Sequence, residues 1–213
     1  MAELIKYYQI NGGYVLNQFF RHFLISIYGV LFAAVIAIPL GFWIARHGKL
    51  AQWILSLANI IQTIPTLAML SILMVALGLG PNTVVTAVFL YSLLPILKNT
   101  YTAVSNVDKS ILDIAKGMGM TKKQITLKVE LPLSVSLIMG GIRNALVIAI
   151  GVTAIGTFIG AGGLGDIISR GINVTNGGPI IWAGAIPTAL MAIMADWLLN
   201  KVEDKFKMKS SRE

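Results

Sequence analysis

The chain has 213 residues, 56% of them hydrophobic and 12% charged, with no cysteine and a formal net charge of +8. A soluble globular domain carries about 45–50% apolar and about 25% charged residues, so this composition excludes an ordinary soluble fold and points to a bilayer protein. The absence of cysteine excludes disulfides, thiolate metal sites and cysteine nucleophiles, and the cations cluster between and after the apolar runs rather than forming a nucleic-acid-binding surface.

The N-terminal stretch MAELIKYYQINGGYVLNQFFRHF lacks a basic n-region, a short apolar core and a small-residue cleavage site. No cleavable signal peptide is expected there. Gln9, Asn11, Gly12, Gly13, Asn17 and Gln18 weigh against a span over residues 4–20. Residues 1–22 are therefore predicted to be an extracytoplasmic, interfacial segment.

Five stretches are long and apolar enough to cross a bilayer, which takes about 20 residues. They run from Phe23 to Ala45, Trp53 to Leu77, Thr83 to Leu97 (with room to extend toward Val104), Leu133 to about Ile159, and Ile180 to Leu199. Their continuous apolarity suits helices rather than the alternating strands of a barrel. The prediction is an all-α polytopic bundle of five transmembrane helices over residues 23–200, followed by a basic tail at 201–213. Four of these helices contain a proline, namely Pro39, Pro65, Pro95 and Pro187, and each removes a backbone donor and favours a bend. Such bends either belong to ordinary membrane helices or line a gated cavity.

Charge sets the orientation. Arg46 and Lys49 follow the first span. Lys98, Lys109, Lys116, Lys122, Lys123 and Lys128 lie between the third and fourth. Lys201, Lys205, Lys207, Lys209 and Arg212 follow the fifth. With the N-terminus outside and the C-terminus in the cytoplasm, all of these fall on the cytoplasmic side, as the positive-inside rule requires. Lys6, Arg21 and Arg170 fall on the other side. Arg143 is left inside the fourth helix, where a cation needs a protein partner, and Asp196 on the fifth helix is a candidate. The tail is expected to touch anionic lipid and to respond to ionic strength. His22 and His47 are expected at opposite ends of the first helix, too far apart for one metal site.

The segment at 105–132 is polar and lysine-bearing, unlike its flanks. Ile111, Ile114, Ala115 and Met118 share one helical face over residues 105–118, and Asp108 or Ser110 can cap its start. Gly117 and Gly119 are expected to break it. Thr121 and Gln124 have the spacing of a capping box and begin a second helix that is expected to stop before Pro132. That proline suits the first turn of the fourth span. A helix, a glycine turn and a second helix joined to a membrane span could lie on lipid or dock in a groove of a soluble partner. Asp108, Asp113 and Glu130 interrupt the basic face, which favours the partner.

Here the residues resemble the permeases of binding-protein-dependent ABC importers. Their cytoplasmic signature reads Glu-Ala-Ala, three residues, Gly, nine residues, Ile, one residue, Leu-Pro. This chain has Asp113-Ile114-Ala115, Gly119, Val129 and Leu131-Pro132 at the same spacing, with Asp for Glu, Ile for the first Ala and Val for Ile. IQTIPTLAML at 61–70, LLPILKNTY at 93–101, GMGMT at 117–121 and IMGGIRNA at 138–145 are similar to the osmoprotectant branch, while IGAGGLGDII at 159–168 is shared more widely among type I importer permeases.

The resemblance implies a multi-pass permease of the bacterial cytoplasmic membrane that takes up glycine betaine, carnitine or choline. Its 113–132 segment, with Asp113, Ala115, Gly117, Met118, Gly119, Thr121, Gln124, Leu131 and Pro132, would couple to an ATPase subunit. The resemblance further implies an ATPase dimer that binds ATP and magnesium, a second permease (identical or paralogous), an extracytoplasmic binding protein, and no cofactor in this chain. Consistent with that, the nearest approach to a phosphate-binding loop is His47-Gly48-Lys49-Leu50, which lacks the first glycine and the hydroxyl residue. Gly160, Gly162, Gly163, Gly165, Asp166 and Arg170 would lie near the cavity mouth and the binding-protein face. Tyr91, Phe158 and Trp182 are candidate cavity aromatics for a quaternary ammonium ion, which ring faces attract.

Three alternatives are open. One is a permease of the same class for another small solute. A second is a passive channel, which would need no coupling segment. The third is an intramembrane aspartyl protease, because Gly163-Leu164-Gly165-Asp166 has the G-x-G-D pattern. That chemistry needs a second aspartate on an earlier membrane helix, and the earlier aspartates, Asp108 and Asp113, lie in the polar segment.

Overall fold

The computed structural model describes the backbone of residues 2–210 and the side chains of residues 2–204. Nine α-helices are present among the described residues: α1 (Ala2–Ile44), α2 (Gly48–Thr63), α3 (Thr66–Leu77), α4 (Pro81–Ser105), α5 (Lys109–Gly117), α6 (Lys122–Ile125), α7 (Leu131–Ile155), α8 (Leu164–Ile172) and α9 (Gly178–Ser210). A π turn at Thr126–Glu130 joins α6 to α7, and a 3-10 turn at Gly156–Ile159 follows α7. The outcome is the expected all-helical bundle. Four helices are long and apolar enough to span, and five spans result if α2 and α3 cross as a broken pair. The predicted tail does not begin a separate segment at residue 201: α9 continues to Ser210, and Lys201 Nζ lies 3.7 Å from the Trp197 ring centroid. The side chains of 205–213, and with them the rest of the proposed lipid contact, lie outside the described residues.

The first expectation to change is the N-terminus. No separate interfacial segment ends at residue 22. Residues 2–44 form one helix of 43 residues, about 65 Å long, against a hydrocarbon core of about 30 Å. Gly12 and Gly13 do not break it, because a helix tolerates glycine at a cost of about 1 kcal/mol. Gln18 and His22 are buried in protein contacts, so their polarity does not count against a long helix. His22 sits near the middle of α1 rather than at its end.

The second change is at Pro65. The expected second span is two helices bent by 98°. Ile64, the residue before the proline, is extended at φ −67°, ψ 127°, as the ring of a following proline favours. At the break the Tyr91 hydroxyl of α4 donates to the Ile64 carbonyl at 2.5 Å. In return Gln62 Nε2 of α2 donates at 3.5 Å to the Tyr91 carbonyl, the α4 acceptor that Pro95 leaves without its helical donor. Pro39, Pro95 and Pro187 stay inside their helices. At Pro95 the carbonyl accepts from Asn99 Nδ2 at 2.7 Å.

The core lies where α4 packs against α1 and α7, with α9 on the outer side of α7 and α8 folded onto α9. Small residues allow this. Gly29, Ala33, Ala37 and Gly41 recur every fourth position of α1 and are all buried. A Cβ on Gly29 would stand 2.3 Å from Val88 Cγ1, and one on Gly41 2.6 Å from Thr100 Cβ. Helices in lipid associate by such close backbone approach, because lipid tails supply no hydrophobic drive between them. Outward-facing residues are correspondingly apolar, with Val35, Trp53 and Val75 exposed by 72%, 78% and 87%.

The stripe gives a test with a built-in control. Gly29→Leu should lower stability by about 1–3 kcal/mol, read as the folded fraction in a detergent denaturation series. Gly12→Ala, where a Cβ would meet nothing within 4 Å, should be neutral or stabilising by up to about 1 kcal/mol. Equal effects at the two positions would remove the stripe as the packing determinant.

Candidate functional site

Two polar constructions occupy opposite ends of α7. The first is the 105–132 segment. α4 ends at Ser105, and α5 does not begin until Lys109. The helix foreseen from residue 105 is therefore interrupted by a turn over 106–108. Asp108 caps α5 by accepting from Ser110 N at 2.8 Å, and the hydrogen bonds from Ser110 hold its carboxyl below the usual carboxylate range. Asp113 pairs with Lys116 at 2.9 Å, on an exposed surface.

The end of α5 is a Schellman motif. Met120 N donates to the Ala115 carbonyl at 3.2 Å and Gly119 N to the Lys116 carbonyl at 2.9 Å, and Gly119 has φ +76°. This left-handed position selects glycine. Gly117, expected to share in the break, is the last helical residue and has open space at its Cβ. The turn therefore depends on Gly119 alone.

Thr121 then opens α6 with a full capping box. Thr121 N donates to Gln124 Oε1 at 2.8 Å and Gln124 N to Thr121 Oγ1 at 3.3 Å. The expected stop before Pro132 is absent. The chain runs helically from Lys122 through the π turn into α7, where Pro132 occupies the first turn. Leu131 N bonds back to the Thr126 carbonyl, one residue further than in an α-helix. Proline lacks the donor for the carbonyl four residues back and collides with it in α geometry. The wider turn relieves that collision and keeps the helix continuous. Leu131 and Pro132 are thus part of one rod of about 50 Å over residues 122–155.

At this end of the rod Ala115 and Ile125 are buried, while Ile114 and Met118 are exposed by 64% and 77%. The predicted apolar face is therefore split. Its small residue packs inward, and its large residues stand outside.

The second construction is the glycine segment at the other end of α7. Gly160, Gly162 and Gly163 have φ between +72° and +85°. Gly165 lies so close to α7 that a Cβ would stand 2.0 Å from the Ala154 carbonyl oxygen. α1 holds this segment through residues the sequence reading did not select. Gln18 Oε1 accepts from Gly163 N at 2.6 Å, and His22 Nδ1 accepts from Leu164 N at 3.2 Å. These two amides open α8, where backbone donors have no intrahelical partner. His22 Nε2 must then carry the proton, and it donates to the Ile150 carbonyl at 3.0 Å. Ser26 Oγ donates to the His22 carbonyl and meets Thr153 Oγ1 at 2.9 Å. The Tyr14 hydroxyl donates to Asp166, which pairs with Arg170 at 2.9 Å, and the Arg170 guanidinium lies 5.0 Å from the Tyr14 ring centroid. Tyr14, Gln18, His22 and Ser26 are spaced by four, and that polar stripe is the signal that could have found them.

Arg143 reaches α9. Its Nε lies 3.6 Å from Asp196 Oδ1, its Nη1 donates to Asn200 Oδ1 at 3.0 Å, and Glu203 Oε2 is 4.0 Å away. Asn200 and Glu203 extend the pairing considered from sequence. The three aromatics do not converge. Tyr91 is 4% exposed and engaged at the α2–α3 break, so it lines no open cavity. Trp182 borders a groove of about 530 Å³ with Leu4, Gly178, Pro179 and Ile186, and the exposed Phe158 is not among the groove's lining residues. Among the described residues no cluster of His, Asp and Glu could hold a metal ion.

A multi-helix membrane protein with a capped polar segment that exposes apolar side chains defines the class, and comparison with known proteins identifies the family. Residues 37–208 match the binding-protein-dependent transport system inner membrane component family, and the chain belongs to it. It is a membrane transport subunit of an ABC importer and not an enzyme. It is 66% identical over 203 residues, covering 95% of this chain and 91% of the relative, to the carnitine transport permease protein OpuCD of Listeria monocytogenes serotype 1/2a (strain 10403S). It is 60% identical over 203 residues, covering 95% and 89%, to the glycine betaine/carnitine/choline transport system permease protein OpuCD of Bacillus subtilis (strain 168). Its fold matches a chain of the MetNI methionine ABC transporter, solved in inward-facing conformations, with a TM-score of 0.80 at 18% identity, covering 90% of this chain and 95% of that one. The bundle is thus a type I importer permease fold.

The buried end of α8 is directly testable. His22→Leu fills similar space but leaves Leu164 N and the Ile150 carbonyl without their partner. A loss of about 1–3 kcal/mol is expected for each buried group left unpaired, measured by denaturation in detergent. His22→Gln, which keeps an acceptor and a donor, should recover part of it. Unchanged stability in His22→Leu would show that the ring merely fills space.

Proposed function

We propose that this chain is the membrane-spanning subunit of an ATP-driven importer for quaternary ammonium osmoprotectants (glycine betaine, carnitine and choline). The solutes named for its relatives, which are alike over nearly the whole chain, carry the substrate part of this reading. The geometry of 108–132 supports the way it is driven. A segment fixed by an aspartate cap, a left-handed glycine and a capping box is continuous with a membrane helix, and it presents Ile114 and Met118 to solvent. A rigid attachment with an uncovered apolar edge suits docking into a groove of a soluble ATPase subunit.

In this reading ATP and magnesium bind the partner ATPase pair, a second permease (identical or paralogous) completes the pathway, and an extracytoplasmic binding protein delivers solute. The N-terminus lies outside and the cation clusters lie in the cytoplasm, as the positive-inside rule favours. ATP binding closes the ATPase pair, the docked segments move with it, and the bundles open outward. The ATPase must hold the segment differently in its two states, since only differential contact shifts a conformational equilibrium. The glycine segment at the far end of α7, with Gly160, Gly162, Gly163, Gly165, Asp166 and Arg170, faces the binding protein. Solute recognition by aromatic faces belongs to that binding protein, since Tyr91 is buried and Trp182 lies elsewhere.

Purification with the ATPase and binding protein, followed by uptake of radiolabelled betaine, carnitine and choline into vesicles, tests the assignment. Uptake of at least one of them should require ATP and the binding protein. Uptake that persists without ATP would identify a channel, and ATP-driven uptake of none of the three would move the chain to another solute.

Gly119→Val tests the drive separately. A β-branched residue at φ +76° is strained, so the turn should deform while membrane insertion is unaffected. Uptake should fall by about 10-fold or more relative to ATP hydrolysed. A normal ratio would remove the docking role of this turn.

A further inference from the structure

Arg46 lies in the short turn between α1 and α2, which three hydrogen bonds close. Arg46 N and His47 N donate to the Trp43 and Ile44 carbonyls at 3.3 and 2.9 Å. His47 Nδ1 also donates to the Trp43 carbonyl at 2.8 Å, with the two rings 5.1 Å apart. From this turn Arg46 Nη2 donates two hydrogen bonds of 2.6 Å each, to Thr126 Oγ1 and to Glu130 Oε2.

Those two acceptors are the first and last residues of the π turn. π turns are rare and tend to mark functional positions in helices. Thr126 Oγ1 in turn donates to the Lys122 carbonyl at 3.0 Å, so the same hydroxyl links Arg46 to the start of α6. The Glu130 side chain is 8% exposed against 46% for Arg46. This is unlike an exposed ion pair, which contributes little. The carboxylate is held inside the protein and needs its cation.

We infer that Arg46 is a positioning residue of the transport cycle. It fastens the π turn to the end of α1, so that a displacement of the 108–125 segment is delivered to α1 as well as along α7. Without the fastener the rod could flex or change register at its weakest turn, and the displacement would be dissipated there. α1 is the helix that holds the glycine segment through Gln18 and His22, so the fastener offers a second route from the cytoplasmic segment to the opposite end. The inference rests on the importer reading above.

Because both bonds leave one nitrogen, Arg46→Lys should retain most of the effect, with an ammonium that can reach both oxygens. Arg46→Met with Glu130→Met removes the fastener without stranding a charge. In the complex with its ATPase and binding protein, R46M/E130M should hydrolyse ATP within about twofold of the unsubstituted complex while solute moved per ATP falls by about 10-fold, and R46K should keep at least about half of that ratio. An unchanged ratio in R46M/E130M overturns the inference, as does an R46K as defective as the double variant. If R46M/E130M does not assemble, Thr126→Val decides in the same way. It removes one of the two acceptors and should lower the ratio by about two- to threefold, and no change overturns the inference.

A second readout needs no solute. The chain has no cysteine, so spin labels can be placed at the exposed Lys49 and Lys123 alone. Their separation should change by less than about 2 Å on ATP binding in the unsubstituted complex and by about 5 Å or more in R46M/E130M. The same change in both overturns the fastener. Absence of betaine, carnitine and choline uptake in the unsubstituted complex would instead count against the proposed substrates and leave this distance test intact.

Discussion

The close approach of α1 to α4 is the contact on which the rest of the structure depends. In a bilayer, apolar side chains gain almost nothing by leaving lipid for protein, so shape and polar bonding decide which faces meet. Gly29, Ala33, Ala37 and Gly41 make α1 flat along one side, and Val88 and Thr100 of α4 fill the space that their side chains would have taken. With α1 seated, its polar stripe from Tyr14 to Ser26 reaches the amides and carboxylate of the glycine segment. Its C-terminal turn meanwhile reaches the π turn under α7. One helix–helix contact therefore registers both ends of the molecule.

Proline has four different outcomes in this fold, and the surroundings explain each. At Pro65 the chain breaks, and the Tyr91 hydroxyl satisfies the open turn at the Ile64 carbonyl. At Pro95 the helix continues, and Gln62 of α2 donates to the Tyr91 carbonyl that the proline leaves without its helical donor. Pro81 opens α4 in its first turn, where a missing donor costs nothing. At Pro132 the helix continues because the preceding turn widens. A missing N–H is a local fact of sequence. Whether it ends a helix depends on which donors and acceptors tertiary packing brings to the gap.

This distinction also separates what could be read from the sequence from what could not. The number of apolar stretches, the Asp108 cap, the Thr121–Gln124 box and the Gly119 turn are local, and each was legible from residue type and spacing, whereas the start of α1 and the break at Pro65 were not. The all-helical membrane fold followed from the same apolar lengths, and the family followed from the 113–132 signature. Gln18 and His22 were not legible as buried groups. In isolation they look like residues that would resist a membrane, and their roles appear only when the start of α8, about 140 residues further on, is folded against them. The unbroken rod from α6 to α7 was hidden for a similar reason. Pro132 signals a boundary, and only the π turn removes it. Tyr91 was read as a cavity aromatic from its ring alone, and its hydroxyl's partner, the Ile64 carbonyl, becomes available only after Pro65 breaks the helix.

A permease driven from one side must deliver work to the other without storing it in soft elements between. The rod over 122–155 is α-helical along its length except at the π turn, which is the price of keeping Pro132 inside a continuous helix. A wide turn is one of the places where a helix kinks. Glu130 makes this position more demanding still, since its carboxylate is nearly excluded from water and could not stay there unpaired. One guanidinium nitrogen meets both requirements, bridging the two ends of the wide turn and neutralising the acid. The same bond ties the turn to the helix whose small-residue stripe fixes it in the bundle. The one wide turn of the rod is thereby fastened to the helix whose small-residue stripe seats it against α4, and the bond is supplied where the backbone ladder is widened.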